Sequence, residues 1–126
     1  KITITLRKSY GGSHIVMGCK QLRADLNFAW PTSEIAVMGA SGAVAVLCGK
    51  EAKAKKEAGE DVKAFLAEKE AEYTDTFANP YQAAQFGYID DVIEPRNTRF
   101  RICRGLAQLA SKKQSLPAKK HGCMPM

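Results

Sequence analysis

The sequence has little of what marks a secreted, membrane-spanning or metal-binding protein. Its longest weakly polar run, residues 35–49, is too short to span a bilayer and is interrupted by glycines. The start of the chain shows no basic segment followed by an apolar stretch and a cleavage site. No CxxC pair occurs among the four cysteines, which are Cys19, Cys48, Cys103 and Cys123. We therefore expect a cytosolic or organellar protein with reduced thiols that does not bind a membrane by itself.

The cysteines and the two histidines leave a zinc site open as an alternative. His14 and His121 would join the cysteines as ligands, but their spacing lacks the paired-ligand pattern of zinc sites. A free cysteine more often packs as a small apolar residue. We therefore expect no metal in this chain.

The sequence also lacks the motifs of phosphate-binding and nucleic-acid-binding proteins. Much of the net charge of +6 comes from residues 96–104 and 111–122, and aromatic residues do not alternate with these basic runs as base stacking requires. The Gly-Lys pair at 49–50 has Val44 where a P-loop has its first glycine, and no GxGxxG pattern occurs. We expect no nucleic-acid partner, although a basic surface can attract small anions.

The residues present fit a single domain of the α/β or α+β class, in which short buried strands are outnumbered by helices, and we predict α/β. Alternating apolar and polar residues predict a strand over residues 1–7, and the apolar run 34–38 predicts a second, buried strand. A glycine turn and a helix follow each strand, with Ser13 and Ser41 placed to cap the helices. In the first of these helices the side chains expected to be buried are Ile15, Met17, Cys19 and Leu22.

Four more helices are predicted in the second half of the chain. Residues 50–59 are polar all round and fit a solvated helix. From Asp61 an amphipathic helix should bury one stripe, formed by Val62, Phe65, Leu66, Lys69, Tyr73 and Phe77. Pro80 should start a short helix that Gly87 closes. A last helix should begin near Pro95, with one face formed by Phe100, Cys103, Leu106, Leu109 and Ala110.

The glycine pair Gly11-Gly12, between the first strand and its helix, has two interpretations. Without a Cβ it lets a substrate atom approach the main chain, where the amides of Gly12 and Ser13 fall among the unpaired first donors of a helix. Such donors suit an oxyanion that forms in a transition state. The alternative is a plain turn that needs a positive φ. No acid is placed to orient His14, so the side chains supply no catalytic triad.

Four stretches resemble, in the same order, the end of the carboxyltransferase subunits of biotin-dependent acyl-CoA carboxylases. They are RKSYGGSHIVM, LRADLNFAWPTSEIAVMGASGAV, EYTDTFANPYQAAQFGYIDDVIEPRNTR and the terminal LPAKKHGCMPM. That family includes the propionyl-CoA carboxylase β subunit, subunits of methylmalonyl-CoA carboxyltransferase and decarboxylase, and glutaconyl-CoA decarboxylase. The resemblance implies two crotonase-like domains. Residues 1–113 would be the latter part of the second domain, and residues 114–126 a tail that packs on the oligomer.

The resemblance also implies roles for the two glycine turns. The amides of Gly12 and Ser13 would form the oxyanion hole for the ureido oxygen of biotin; the family usually has Ala in place of Ser13, which leaves the amide donor intact. Ile15 would help to shape the acyl pocket. The second glycine turn resembles an element beside the biotin pocket, so the further pocket residues are Gly11, Gly39, Ala40 and Gly42.

The function implied by the resemblance is transfer of a carboxyl group between carboxybiotin and a short acyl-CoA of the propionyl or methylmalonyl type. Biotin would be carried on a separate domain or subunit. The expected partners are a biotin carboxylase, a biotin carboxyl carrier and further copies of the subunit, in a hexamer with active sites at subunit interfaces. The family places the rest of the site in the first domain, so we expect this chain alone to be inactive. The expected location is the cytoplasm, or the mitochondrial matrix in a eukaryote.

Two alternatives remain at this point. The chain would also fit the α subunit of a biotin-dependent decarboxylase, which runs the transfer from acyl-CoA to biotin. If the native chain begins at Lys1, a non-catalytic crotonase-like assembly module is favoured instead.

Overall fold

The structure, a computed structural model, describes residues 1–115 as five short strands and six α-helices. The strands are β1 (Ile2–Thr5), β2 (Lys8–Tyr10), β3 (Leu26–Ala29), β4 (Glu34–Ala36) and β5 (Asp91–Val92). The helices are α1 (Gly11–Val16), α2 (Ala40–Leu47), α3 (Gly49–Glu57), α4 (Val62–Thr76), α5 (Pro80–Gln85) and α6 (Thr98–Gln108). The predicted α/β class is confirmed. Most of the predicted tail, residues 116–126, lies outside the described residues.

The strands form two small parallel sheets, one of three strands and one of two. In the first sheet β3 lies between β1 and β5, and in the second β2 pairs with β4. Thr5 faces Ala29 and Lys8 faces Glu34, so the second segment carries two more residues than the first between these pairs. Pro31 lies in that insertion and has no N–H to offer a ladder. The strand predicted over residues 1–7 is therefore divided in two.

The buried core surrounds β3, a strand that the sequence analysis did not predict. Phe28 and Ala29 of β3 are buried, and Ala29 packs with Ile35 of β4, Ala83 of α5 and Ile89. Leu26, Asn27 and Phe28 alternate in polarity, but Asn27 is buried together with Phe28, because a central parallel strand is covered on both faces. The strand has only four residues and ends next to Trp30-Pro31, so this short alternation is a weak signal. Strand β3 leads through residues 30–33 into β4, and β4 ends just before the second glycine turn.

Helices α4 and α5 begin at the residues that their caps predict. The side chain of Asp61 accepts hydrogen bonds from two backbone amides in the first turn of α4, at 3.0 and 3.2 Å. Asn79 caps α5, Pro80 is its first residue, and Gly87 follows its end with a φ of +72°. The predicted stripe of α4 is half-buried beside α2 and α3, apart from the exposed Phe77. Helix α3 buries no residue, as predicted.

Helix α6 turns a different face to the core from the predicted one. Its buried residue is Gly105, where an added Cβ would lie 2.7 Å from Leu26. Of the predicted face, Leu109 is half-buried, whereas the exposed members are Phe100, Cys103, Leu106 and Ala110. The helix approaches the sheet most closely through its smallest residue, so a count of apolar positions selects the wrong face.

Candidate functional site

The two glycine turns lie side by side at one edge of the second sheet. Strands β2 and β4 are parallel, with Tyr10 opposite Ala36, and each leads into a helix. The strand predicted over residues 34–38 ends at Ala36, because the next residues leave the sheet. A Cβ on Gly11 would lie 2.8 Å from the carbonyl oxygen of Val37, and one on Gly39 would lie 3.6 Å from the ring of Tyr10. The structure therefore brings together the two turns that the sequence analysis assigned to one pocket.

Helix α1 begins three residues earlier than its predicted cap, Ser13, implies. Tyr10 is the N-cap and Gly11, with a φ of +49°, the first helical residue, so Ser13 is not the cap. The hydroxyl of Ser13 instead donates a hydrogen bond of 2.6 Å to the carbonyl of Tyr10. Among the described residues, the amides of Gly12 and Ser13 have no hydrogen-bond acceptor, as expected in a first helical turn. Both residues are exposed, and no atom lies within 4 Å of where a Cβ on Gly12 would stand.

The second glycine turn differs from the prediction in the same way. Gly39 is the N-cap of α2, and Ser41 is the second helical residue, without a capping hydrogen bond. Gly39 and Ala40 are half-buried and Gly42 is exposed. The N-termini of α1 and α2 therefore lie next to each other at this edge of the sheet.

The predicted burial of α1 and the segment after it is wrong for three residues of four. Cys19 is buried, but Met17 is 76% exposed and Leu22 is 53% exposed. Ile15, the predicted acyl-pocket residue, is 49% exposed and stands one turn along the helix from Gly11. Because α1 has six residues and buries none of them, its apolar side chains find no cover among the described residues.

A polar pair, Ser9 and His14, crosses the first glycine turn and was missed by the sequence analysis. The Ser9 Oγ and the His14 Nδ1 are 2.9 Å apart. Both side chains line a cavity of about 440 Å³ beside β1, with Arg7, Met17 and other residues. Burial lowers the pKa of His14 below its ordinary value. Nothing in a five-residue spacing indicates this pair, because it depends on the chain reversing direction at the glycines.

Tyr10 ties the two strands of the site together from the opposite side of β2. Its hydroxyl donates a hydrogen bond to the carboxylate of Glu34 in β4. Burial, and then the hydrogen bond and negative charge of Glu34, raise the pKa of Tyr10 to about 12. The strand that leads into the Gly11 turn is thereby held against β4 by a side-chain bond as well as by its ladder.

Within residues 1–115, neither a metal centre nor a helix suited to crossing a membrane is found. No three side chains of His, Cys, Asp or Glu lie close enough together to hold a metal ion. The described thiols are free: Cys19 is buried, Cys48 half-buried and Cys103 exposed. The other two residues of the zinc alternative, His121 and Cys123, lie outside the described part of the chain. No described helix has the length and apolar character needed to span a bilayer.

Comparison with known proteins places the chain among carboxyl transferases. Residues 1–124 match the sequence profile of the carboxyl transferase domain. The chain is 51% identical over 125 residues to the propionyl-CoA carboxylase beta chain of Saccharopolyspora erythraea, covering 99% of this chain and 23% of that protein. It is 49% identical over 126 residues to the methylmalonyl-CoA decarboxylase subunit alpha of Propionigenium modestum, covering 100% of this chain and 24% of that protein.

The fold is also similar to that of a solved carboxyltransferase. The crystal structure of transcarboxylase 12S, a hexamer with methylmalonyl-coenzyme A and methylmalonic acid bound, is 50% identical in sequence, with a TM-score of 0.84. The match covers 100% of this chain and 24% of that one, so the chain spans about a quarter of the length of its relatives. The resemblance seen in the four sequence stretches, and the crotonase-like fold that it implies, are confirmed. The chain belongs to the carboxyl transferase domain family.

Proposed function

We propose that the protein containing this chain is the carboxyltransferase component of a biotin-dependent acyl-CoA carboxylase. It would move a carboxyl group between carboxybiotin and a short acyl-CoA of the propionyl or methylmalonyl type. The observation that carries the proposal is identity near 50% along the whole chain to carboxyltransferase subunits whose names specify those substrates. The paired glycine turns support it, because they present main-chain donors at one open edge of the sheet.

The amides of Gly12 and Ser13 would stabilise the negative charge that develops on the ureido oxygen of biotin. Three features of the turn fit that group. The two N–H groups are not used by described acceptors, Gly12 leaves the approach to them open, and Gly11 permits the left-handed backbone that begins the turn. Biotin would supply the carboxyl group in a form transferable to carbon. The Gly12 and Ser13 amides would bind the ureido oxygen of biotin and so orient the biotin ring.

The remaining pocket residues would shape the space around those amides. The second turn would form the neighbouring wall through Gly39, Ala40 and Gly42, since a Cβ on Gly11 would lie 2.8 Å from the carbonyl oxygen of Val37, just before that turn. Ile15, exposed one turn further along α1, would face the acyl group once the rest of the protein covers it. An apolar side chain there suits a short acyl chain.

The partners follow from the share of the site that this chain lacks. With about a quarter of its relatives' length, the chain would hold half of an active site, and the other oxyanion hole would come from the remainder of the protein across a subunit interface. A biotin carboxylase and a biotin carboxyl carrier would complete the system, and transcarboxylase 12S is a precedent for a hexamer. We place the enzyme in the cytoplasm, or in the mitochondrial matrix of a eukaryote.

The test is the effect of Ser13→Pro on turnover of the full-length protein with carboxybiotin and propionyl-CoA. Proline removes the donor without removing an intrahelical bond, so kcat should fall on the order of 10²- to 10³-fold. Ser13→Ala should stay near the unaltered enzyme, because within residues 1–115 the Ser13 hydroxyl bonds the carbonyl of Tyr10, a local contact, and the amide that would bind biotin is kept.

The matched control is Glu51→Pro, at the same third helical position of α3 and also exposed. It should leave kcat unchanged. A large loss in Ser13→Ala with little loss in Ser13→Pro, both folded by circular dichroism, would reject the amide assignment. Proline restricts the preceding Gly12, so the melting temperature of each variant is measured first.

The second candidate is the α subunit of a biotin-dependent decarboxylase. It is favoured by the Propionigenium modestum relative, whose identity of 49% is close to that of the carboxylase relative. Both activities use the same transfer in opposite directions. Two assays of the full-length protein with its native partners separate the candidates. Carboxylation of a panel of acyl-CoAs by carboxybiotin favours the carboxylase, and carboxylation of free biotin by malonyl-type CoAs favours the decarboxylase.

A further inference from the structure

The first glycine turn carries two side-chain hydrogen bonds and has little buried surface. Helix α1 buries no residue, and the space around Gly12 is open. Two bonds cross the turn: the Ser9 Oγ to the His14 Nδ1 at 2.9 Å, and the Ser13 hydroxyl to the carbonyl of Tyr10 at 2.6 Å. The Ser13 bond is local to the first turn and joins residues three apart, whereas the bond between Ser9 and His14 joins the helix to the strand. The direction of the first-turn amides therefore depends on the Ser9–His14 bond.

Ser9 is held in place by the sheet, so its hydroxyl is a fixed partner for the His14 side chain. It lies in β2 opposite Ile35, which is buried in the core cluster. His14 is the fourth residue of α1 and is half-buried. The bond between them therefore ties an unpacked helix to a fixed strand across the two glycines.

We propose that Ser9 and His14 are positioning residues, which hold the first turn of α1 against β2 and so fix the direction of the Gly12 and Ser13 amides. The proposal rests on the function proposed above. Burial lowers the pKa of His14 and so favours the neutral imidazole, whose Nδ1 donates to the Ser9 hydroxyl or accepts from it according to the tautomer; either arrangement makes the bond. Neither residue needs to contact substrate, since their effect passes through the backbone.

The test measures steady-state kinetics of the full-length enzyme with its carrier and propionyl-CoA. Ser9→Ala and His14→Leu should each lower kcat about tenfold, the factor expected for one lost hydrogen bond, and change the KM for acyl-CoA less than about twofold. Ser9→Thr keeps the hydroxyl and His14→Asn keeps an acceptor near the Nδ1 position, so both should recover most of kcat. The double variant Ser9→Ala/His14→Leu should lose no more than either single variant, because both remove the same bond.

The matched control is Thr98→Val, which removes another half-buried side-chain bond of 2.9 Å, to Trp30, beside the other sheet. It should leave kcat unchanged. Unaltered kcat in Ser9→Ala, additive losses in the double variant, or an equal loss in Thr98→Val would overturn the proposal. Ser13→Pro in the same assay separates the two ideas: if it loses 10²-fold or more while Ser9→Ala loses nothing, the amide site stands and the positioning role fails. If Ser13→Pro loses nothing, the amide site itself fails.

Discussion

Gly11 and Gly12 are neighbours in the sequence but meet different constraints in the fold. Gly11 has a φ of +49°, and a Cβ on it would lie 2.8 Å from the backbone oxygen of Val37. No atom lies within 4 Å of the Cβ position of Gly12. The sequence analysis kept a plain turn and an anion-binding turn as alternatives for this pair. In the structure each glycine has one role. Gly11 adopts the left-handed backbone conformation that the turn needs, and Gly12 leaves the approach to the first-turn amides open.

Gly11→Ala is therefore expected to destabilise the protein. A left-handed backbone costs a residue with a Cβ about 1–2 kcal/mol, and the contact with a backbone oxygen adds to that cost. Gly59→Ala is the control, because Gly59 has a φ of +77° but no atom within 4 Å of its Cβ position. Urea unfolding of the full-length protein should show a larger loss of unfolding free energy for Gly11→Ala than for Gly59→Ala. Equal losses would mean that Val37 moves away freely.

At the residue scale, the sequence predicts local roles better than contacts made through the fold. Asp61 and Asn79 are recognisable as caps because a cap acts on amides two or three residues away. Ser13 has the right residue type but not the predicted role, because the left-handed Gly11 moves the helix start to the glycine. The Ser9–His14 bond could not be predicted, since it exists only once the turn has formed.

At the scale of elements, helices with strong end signals were predicted and the central strand was not. Helix α5 has both Pro80 at its start and Gly87 at its end, so its limits follow from backbone chemistry. Strand β3 has four residues and stands next to Trp30, so its short alternation does not by itself predict a strand, and its pairing with β1 identifies it. The buried face of α6 is the one that contains Gly105, which lies close to Leu26. Hydrophobic periodicity does not predict this close approach, because glycine has no apolar side chain.

The tie between β2 and β4 should make the site sensitive to alkali. The pKa of Tyr10 is raised to about 12 from an ordinary 10, so the folded state favours the protonated phenol. This contribution to stability is complete below pH 10 and is lost as the pH rises from 10 to 12. The melting temperature of Tyr10→Phe should therefore lie below that of the unaltered protein at pH 8, and the difference should shrink above pH 10.

Glu34→Gln is the companion variant for that measurement. It removes the negative charge that contributes to the raised pKa but keeps an oxygen that can accept the phenol proton. The alkaline loss of stability should then begin near the same pH of 10, which the unfolded state sets, but end at a lower pH than in the unaltered protein. A difference between unaltered and Tyr10→Phe protein that stays constant from pH 8 to 11 contradicts the assignment.

At the scale of the whole molecule, residues 1–115 leave many apolar side chains uncovered. Val16 is 79% exposed, Val37 76% and Val46 74%, on three different segments. Strand β1 is an edge of a parallel sheet, a type of sheet that proteins cover on both faces. These surfaces are of the kind that other protein segments cover. The carboxyl transferase relatives are about four times as long as this chain, so we expect the rest of the protein to cover these surfaces.

Residues 1–126 expressed alone should therefore associate and bind a hydrophobic dye. The driving force is burial of the exposed apolar side chains, worth about 25 cal/mol per Å². Analytical ultracentrifugation should show species larger than a monomer, with dye fluorescence that falls when the rest of the protein is co-expressed. Val16→Lys with Val46→Lys should reduce dye binding, whereas Ala54→Lys on the solvated helix α3 should not. A monodisperse monomer without dye binding would mean that these surfaces close on one another within the chain.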